Sequence, residues 1–286
     1  MKWEDRGRSR NLEDRRGSRG PGRAIGGGAI PLGIGGVILV LVISALTGVD
    51  LSAILGTGTG PTTSAPPPSQ QSLDAEEEQV RFVSFVLDDV QAFWSETFRV
   101  SGVQYPEAQL VLYRDAVQSG CGVAPAAAGP FYCPADQKVY LDLSFYDALR
   151  TRFGAPGDFA QAYVIAHELG HHVQNVLGVL AESQRIQQTQ PGRASQASVA
   201  TELMADCYAG VWAAYANSAG IMERGDLEEG LGAAAAVGDD TLAQRSGRIP
   251  NQETFTHGSA AQRQQWFSTG FETGDPNACD TFTVGF

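Results

Sequence analysis

Histidine is scarce in this chain. Four occur in 286 residues, and three of them, His167, His171 and His172, fall within six positions of one another. No C-x-x-C pair is present, which removes cysteine-built zinc modules from consideration. No internal repeat is present, which excludes solenoid and propeller architectures. Charge is absent from Ala24 to Val49, so that stretch is not an ordinary surface segment. Beyond residue 23, basic residues are outnumbered 12 to 28 by acidic ones, a balance that argues against a nucleic-acid enzyme.

What is present is concentrated. Ala166-His167-Glu168-Leu169-Gly170-His171-His172 contains His-Glu-x-x-His and follows the apolar run Phe159 to Ala166. On a helix, His167 and His171 stand four positions apart and leave one face, so both imidazoles can share one metal ion. Glu168, one residue on, can reach a water held by that ion. A buried histidine needs partners for its ring nitrogens, and a metal is one such partner. The alternative is an amphipathic helix with two surface histidines. The motif points to zinc-assisted hydrolysis with Glu168 as general base.

A catalytic zinc usually takes three protein ligands. Ser198 to Trp212 reads as a second buried helix whose only charges are Glu202 and Asp206, again four apart. Two buried carboxylates without a cation would be costly, and a nearby zinc accounts for both. Glu202 would be the third ligand. Asp206 would accept the second ring N–H of a zinc-bound histidine. Two other arrangements stay open: a carboxylate paired with Arg193 or Arg263, and Asp206 as ligand with Glu202 behind it.

With these residues in view, the chain resembles the gluzincin metallopeptidases and, more closely, the bacterial "putative neutral zinc metallopeptidase" family. The likeness rests on Met1-Lys2-Trp3 with Asn11 to Gly17, Gly129 to Pro134 with Asp136, Ala166 to Gln174, Glu202 to Trp212, and Thr256-His257-Gly258-Ser259 through Pro276. It implies an α+β fold, a mainly helical zincin-like domain with a small sheet, preceded by one transmembrane helix. It implies a membrane-anchored zinc peptidase acting on peptide or protein substrates. It gives His257 a place as hydrogen-bond donor to the tetrahedral intermediate; a structural histidine beside a helix-capping Ser259 is the other reading. It also gives the strand Val139 to Leu143 a place along the cleft, pairing with extended substrate; from the residues alone it is a plain sheet strand. The rival function is a non-catalytic, zinc-stabilised binding module of the cell envelope.

Residues 1–23 carry eight basic and four acidic residues and precede the uncharged stretch. About 20 apolar residues span a bilayer, and a basic flank stays on the cytoplasmic side. The expected organisation is therefore a cytoplasmic basic tail over 1–26, a single-pass anchor over 27–49, a Gly/Pro/Ser/Thr-rich linker over 50–72, and an extracytoplasmic zinc domain over 73–286. A cleaved signal peptide would need a small-residue cleavage site, which Ser44-Ala45-Leu46 and Thr47-Gly48-Val49 supply poorly. Four cysteines suit an oxidising compartment. Cys121 and Cys133 bracket a short loop that suits a local disulfide, and a Cys207–Cys279 bridge would tie the tail to the Glu202 helix. Three pairings are possible and the sequence does not choose among them.

Several elements complete the reading. Val80, Val83, Leu87, Val90 and Trp94 give one apolar stripe of a helix, with Asp74 and Glu77 as candidate caps. Leu110 to Tyr113 reads as a strand. Val176 to Gln190 reads as a helical extension or lid. Ile221 to Gln244 reads as helices interrupted at Gly230, Gly232 and Gly238, with Asp239 and Asp240 resembling a metal or cap site but read as a solvated turn.

Overall fold

The structure, a computed structural model, describes residues 1–18 and 69–283. Among these, no helix is long and apolar enough to cross a membrane. The anchor expected over 27–49 lies outside the described residues, as does nearly all of the linker.

Nine helices and six strands make an α+β arrangement among the described residues. They are β1 (Leu12–Asp14), α1 (Gln70–Ala75), α2 (Glu77–Val100), β2 (Gln109–Tyr113), β3 (Ala116–Ser119), β4 (Gly122–Pro125), β5 (Phe131–Cys133) and β6 (Lys138–Asp142). There follow α3 (Ser144–Thr151), α4 (Asp158–Val176), α5 (Val179–Thr189), α6 (Ala194–Ser218), α7 (Asp226–Ala236), α8 (Asp239–Arg245) and α9 (Ala260–Thr273). The sheet order is β1-β2-β6-β5, parallel except for the antiparallel β5–β6 pair. Leu110, Leu112, Val139 and Leu141 face the helices, while Val111, Tyr113 and Tyr140 pack under the β3–β4 hairpin. Both faces are covered, which is why these strands read as apolar runs rather than alternating ones.

The stripe on α2 is buried as its spacing predicts: Val80, Val83, Leu87 and Val90 are fully enclosed and Trp94 nearly so. Its cap differs. Ser69, not Asp74, caps α1, and α2 starts at Glu77 with no side-chain cap. Phe82 and Phe85, off the stripe, are buried too, because Trp3 packs on both rings at 5.6 and 6.5 Å.

That contact corrects the reading of the N-terminus as a separate basic tail. Residues 1–18 are part of the folded domain. Leu12, Glu13 and Asp14 pair in parallel with Leu110, Val111 and Leu112. Arg8, Arg10 and Arg16 meet Glu77, Glu107 and Glu76 on the domain, so their charge is structural.

Three further expectations change. The strand Val139 to Leu143, as β6, has β2 on one side and β5 on the other, so neither edge is free for a peptide. The segment 176–190 is not a lid: Gly178, at φ 81, breaks the chain after α4. The next helix, α5, is fastened to α6 through Ser183, whose hydroxyl bonds the Ala197 carbonyl and the Thr201 hydroxyl. Gly230 and Gly232 do not interrupt α7; the break comes at Val237–Gly238.

Glycine sets the spacing of the helices that carry the site. A Cβ on Gly170 would lie 3.0 Å from the Ala205 carbonyl oxygen, so α4 and α6 approach closely through two small residues. A Cβ on Gly210 or Gly270 would lie 2.1 or 2.0 Å from a carbonyl oxygen of the facing helix, so α6 and α9 touch backbone to backbone. Two disulfides close the structure, Cys121–Cys133 and Cys207–Cys279.

Candidate metal centre

The sequence Phe159 to Ala166 drives α4 into the core, and His167, Glu168 and His172 are buried with it. Across from it, α6 presents Glu202 and Asp206 one turn apart. His167 Nε2 lies 3.3 Å from Glu202 Oε2, and His171 Nε2 lies 3.6 Å from Glu202 Oε1. Donor atoms of the three residues all fall within 4.8 Å of one another.

The remaining ring nitrogens fix the tautomers. His167 Nδ1 donates to Asp206 at 2.9 Å. His171 Nδ1 donates to Gln174 Oε1 at 2.8 Å, and the Gln174 amide donates in turn to the Thr201 carbonyl at 2.6 Å. In its neutral form each imidazole then carries its lone pair on Nε2, the atom facing Glu202. Two neutral imidazoles and a carboxylate suit a zinc ion. The charge balance agrees: Glu168, Glu202 and Asp206 share the buried region with one guanidinium, that of Arg263. The donor set therefore fits a dication.

Asp206 does not face the triad. It lies behind His167 and takes Arg263 through both carboxylate oxygens, at 2.7 and 2.9 Å, as well as the Tyr163 hydroxyl. Both readings of this aspartate thus hold at once, the histidine N–H acceptor and the arginine partner. Burial would push its pKa up, but Arg263 and His167 hold it low. For His167, burial works against the charged form, yet Asp206 and Glu202 hold its proton up to about 9. A field that draws a proton to this ring also favours a metal cation. Glu202, opposed by burial, is held well below the usual carboxylate range by His171 and His167. Glu168 differs: burial pushes it up, and the two histidines offset this only in part.

His257 lines the same cavity, a space of about 990 Å³ that also holds His167, Glu168, His171 and Glu202 in its wall. Its Nδ1 lies 3.1 Å from Asp239. Asp239 Oδ2 also accepts the backbone N–H groups of Thr256, His257 and Gly258, at 2.7, 2.7 and 3.1 Å. Asp239 and Asp240 are therefore not a solvated turn: they clamp the loop that presents His257. Ser259 caps α9 in a capping box with Gln262, so the helix cap and the cavity histidine coexist. Burial disfavours a charge on His257, but Asp239 and Glu202 raise its pKa.

The sequence offers Asp239 only as part of a metal or cap site or a solvated turn, and an Asp-Asp pair 17 to 18 residues before a lone histidine carries no signal of its place behind His257. His172, the third histidine of the motif, is outside the triad. Its Nε2 donates to the Pro106 carbonyl at 2.6 Å, so its Nδ1 accepts from the Tyr132 hydroxyl at 2.9 Å. A second acidic group, Asp158, Asp226 and Glu229, has the spacing of a metal site. The Met1 ammonium occupies its neighbourhood instead, 2.7 Å from Asp158 and 3.4 Å from Asp226.

Comparison with known proteins bears on this geometry. The family model described as "Putative neutral zinc metallopeptidase" matches residues 1–282. The uncharacterized protein YpfJ of Escherichia coli K12 is 44% identical over 288 residues, covering 99% of each chain. The uncharacterized protein Rv2575 of Mycobacterium tuberculosis H37Rv is 49% identical over 191 residues, 63% of this chain and 64% of that one. No solved structure matches the chain.

Proposed function

This chain belongs to the neutral zinc metallopeptidase family, and from that premise we propose that it hydrolyses peptide bonds with a gluzincin-like zinc site. His167, His171 and Glu202 would hold the ion. The observation that carries the reading is their convergence, with each Nδ1 spent on a fixed acceptor and each Nε2 left for a metal. Bound zinc acidifies water toward a pKa of about 7 and polarises a scissile carbonyl.

The chain's own residues supply the rest. Glu168 accepts the proton of the attacking water and passes it to the leaving amine. Its burial, which raises its pKa, suits a group that must both take and give a proton. His257, protonated, donates from Nδ1 to Asp239 and from Nε2 into the cavity, where it can stabilise the developing oxyanion. Asp206 orients His167, and Asp239 orients His257. The strand for extended substrate is β5: it is the edge of the sheet, and Phe131 and Tyr132 line the cavity. An edge strand can pair with an extended peptide through main-chain groups, whatever the peptide's side chains.

The test is Glu168→Gln with a broad peptide mixture. Hydrolysis should fall by roughly 10²-fold or more while zinc stays bound at wild-type stoichiometry. Full activity in this variant, or in chelated wild type, would sink the peptidase mechanism. Peptide binding without cleavage of any member would instead favour a zinc-stabilised envelope binding module.

A further inference from the structure

The cavity extends beyond the histidines. At about 990 Å³ it sits at the upper end of ligand-pocket volumes, which run from about 300 to 1,000 Å³. Besides α4 and α6, its wall includes α3, the turn that follows it, and α8. Much of that side is apolar: Phe145, Ala148, Phe153 and Leu242 line the space. Three charged groups stand among them, Asp147, Arg152 and Arg245. Asp147 is spent on Arg150, 3.1 Å away on the same helix.

The two arginines are unlike most cations of so acidic a chain. Of the twelve basic residues after residue 23, seven hold a carboxylate. Arg152 and Arg245 hold none among the described residues. Arg245 is nonetheless fixed in place. Its guanidinium donates to the carbonyls of Arg152 and Phe153, the latter at 2.9 Å. Gly154, at φ 60, turns the chain there, and a Cβ on it would lie 3.6 Å from Arg245 Nη2. This contact ties α8 to the end of α3, a structural use that arginine often has at a helix C-terminus. It meets neutral acceptors and leaves the remaining N–H donors of the fork unspent. A planar cation with donors to spare matches a carboxylate, and apolar walls strengthen its field.

We infer that Arg152 and Arg245 form a carboxylate subsite on the α3–α8 side of the cavity. The peptides it selects carry an anionic group, an acidic side chain or a free C-terminus, within a few residues of the bond held at the candidate metal centre. That these peptides are substrates rests on the peptidase reading; that they bind through the arginines does not. Asp147, in the same wall, opposes the effect and is partly offset by Arg150.

The test reads binding first. Zinc-loaded Glu168→Gln protein is titrated with a neutral peptide amide, the same peptide as free acid, and a series of the amide with Glu placed at each position in turn. The free acid or one of the Glu peptides should bind about 10-fold more tightly than the neutral amide, as one charge-assisted hydrogen bond at a partly solvated site allows. Which of them does so identifies the source of the carboxylate. The preference should shrink as salt is raised. Arg152→Gln with Arg245→Gln should bring the ratio near one. Arg152→Gln alone, which breaks no side-chain hydrogen bond among the described residues, should lower it if the double variant does not fold. Asp147→Asn should raise it. Arg185→Gln, the same change of charge on α5 and away from the cavity wall, should leave it unchanged. An anionic peptide can also coordinate the metal directly, so a preference that survives loss of both arginines would overturn the inference. So would equal or undetectable affinity for every peptide in the series. Turnover by the wild-type protein is read separately: hydrolysis without carboxylate preference sinks the subsite alone, and carboxylate-selective binding without hydrolysis sinks the peptidase reading alone.

Discussion

Asp206 serves two buried cations or near-cations with one carboxylate, so its removal has two separable costs. Asp206→Asn withdraws the charged acceptor from His167 Nδ1, and a change of this kind typically weakens metal affinity 10- to 100-fold. It also leaves the Arg263 guanidinium, 3% exposed, without its counter-charge, a loss of about 3–5 kcal/mol. Chelator competition should read the first effect and thermal unfolding the second. Adding Arg263→Met should recover much of the stability and little of the zinc affinity. Equal recovery of both would mean that Asp206 acts only as the partner of Arg263. Asp239 gives a contrasting case, because it touches no candidate ligand. His257→Ala should lower kcat by about 10²- to 10³-fold, as loss of an oxyanion donor does, with zinc content unchanged. Asp239→Asn should reproduce part of that loss in kcat with KM little altered. A variant with wild-type kcat would remove His257 and Asp239 from the mechanism.

At the scale of elements, the site depends on how closely three helices approach. Glu202 and Asp206 come from α6, Arg263 from α9, and the histidines from α4. Gly270→Ala would place a methyl group 2.0 Å from the Cys207 carbonyl oxygen, in backbone that cannot swing aside. Overpacking of this kind costs about 1–3 kcal/mol or more, roughly 2–12 °C in Tm for a domain of this size. Gly232→Ala is the control with the opposite sign. Nothing lies within 4 Å of its Cβ, and it sits inside α7, so the change should stabilise by about 0.5–1 kcal/mol. If both variants unfolded alike, the close approach of α6 and α9 would not be what fixes the site. The same helices show why the candidate site was readable in sequence. His167 and His171 share one helix, as do Glu202 and Asp206, so four-residue spacing alone places each pair on a face. Arg263 was readable as one of two candidate arginines for a buried carboxylate. β1 was not readable: Leu-Glu-Asp is too short for periodicity, and its partners are about a hundred residues away. The signal that could have found it was Phe82 and Phe85, apolar residues off the α2 stripe that required a cover.

For the whole molecule, the two disulfides are unequal, and loop length decides between them. Cys121–Cys133 closes a separation of 12 residues within the hairpin region, where β3, β4 and β5 already hold the chain together. Cys207–Cys279 closes a separation of 72 and joins α6, one residue beyond Asp206, to the C-terminal segment. In the chain-entropy account, bridges of these two lengths stabilise by about 3 and 4 kcal/mol. The longer one also holds Thr281, whose hydroxyl donates to the Ala200 carbonyl at 2.6 Å, two residues before Glu202. Paired alanine substitution at Cys207 and Cys279 should therefore lower Tm by roughly 8–16 °C. It should also weaken zinc binding, since α6 carries both Glu202 and Asp206. The same substitution at Cys121 and Cys133 should cost less in Tm and leave zinc affinity unchanged, because that loop contributes no ligand. Calorimetry with a zinc titration of both variants separates the outcomes. A larger loss from the Cys121–Cys133 pair would mean that the hairpin, and not the tail, sets the stability of the molecule.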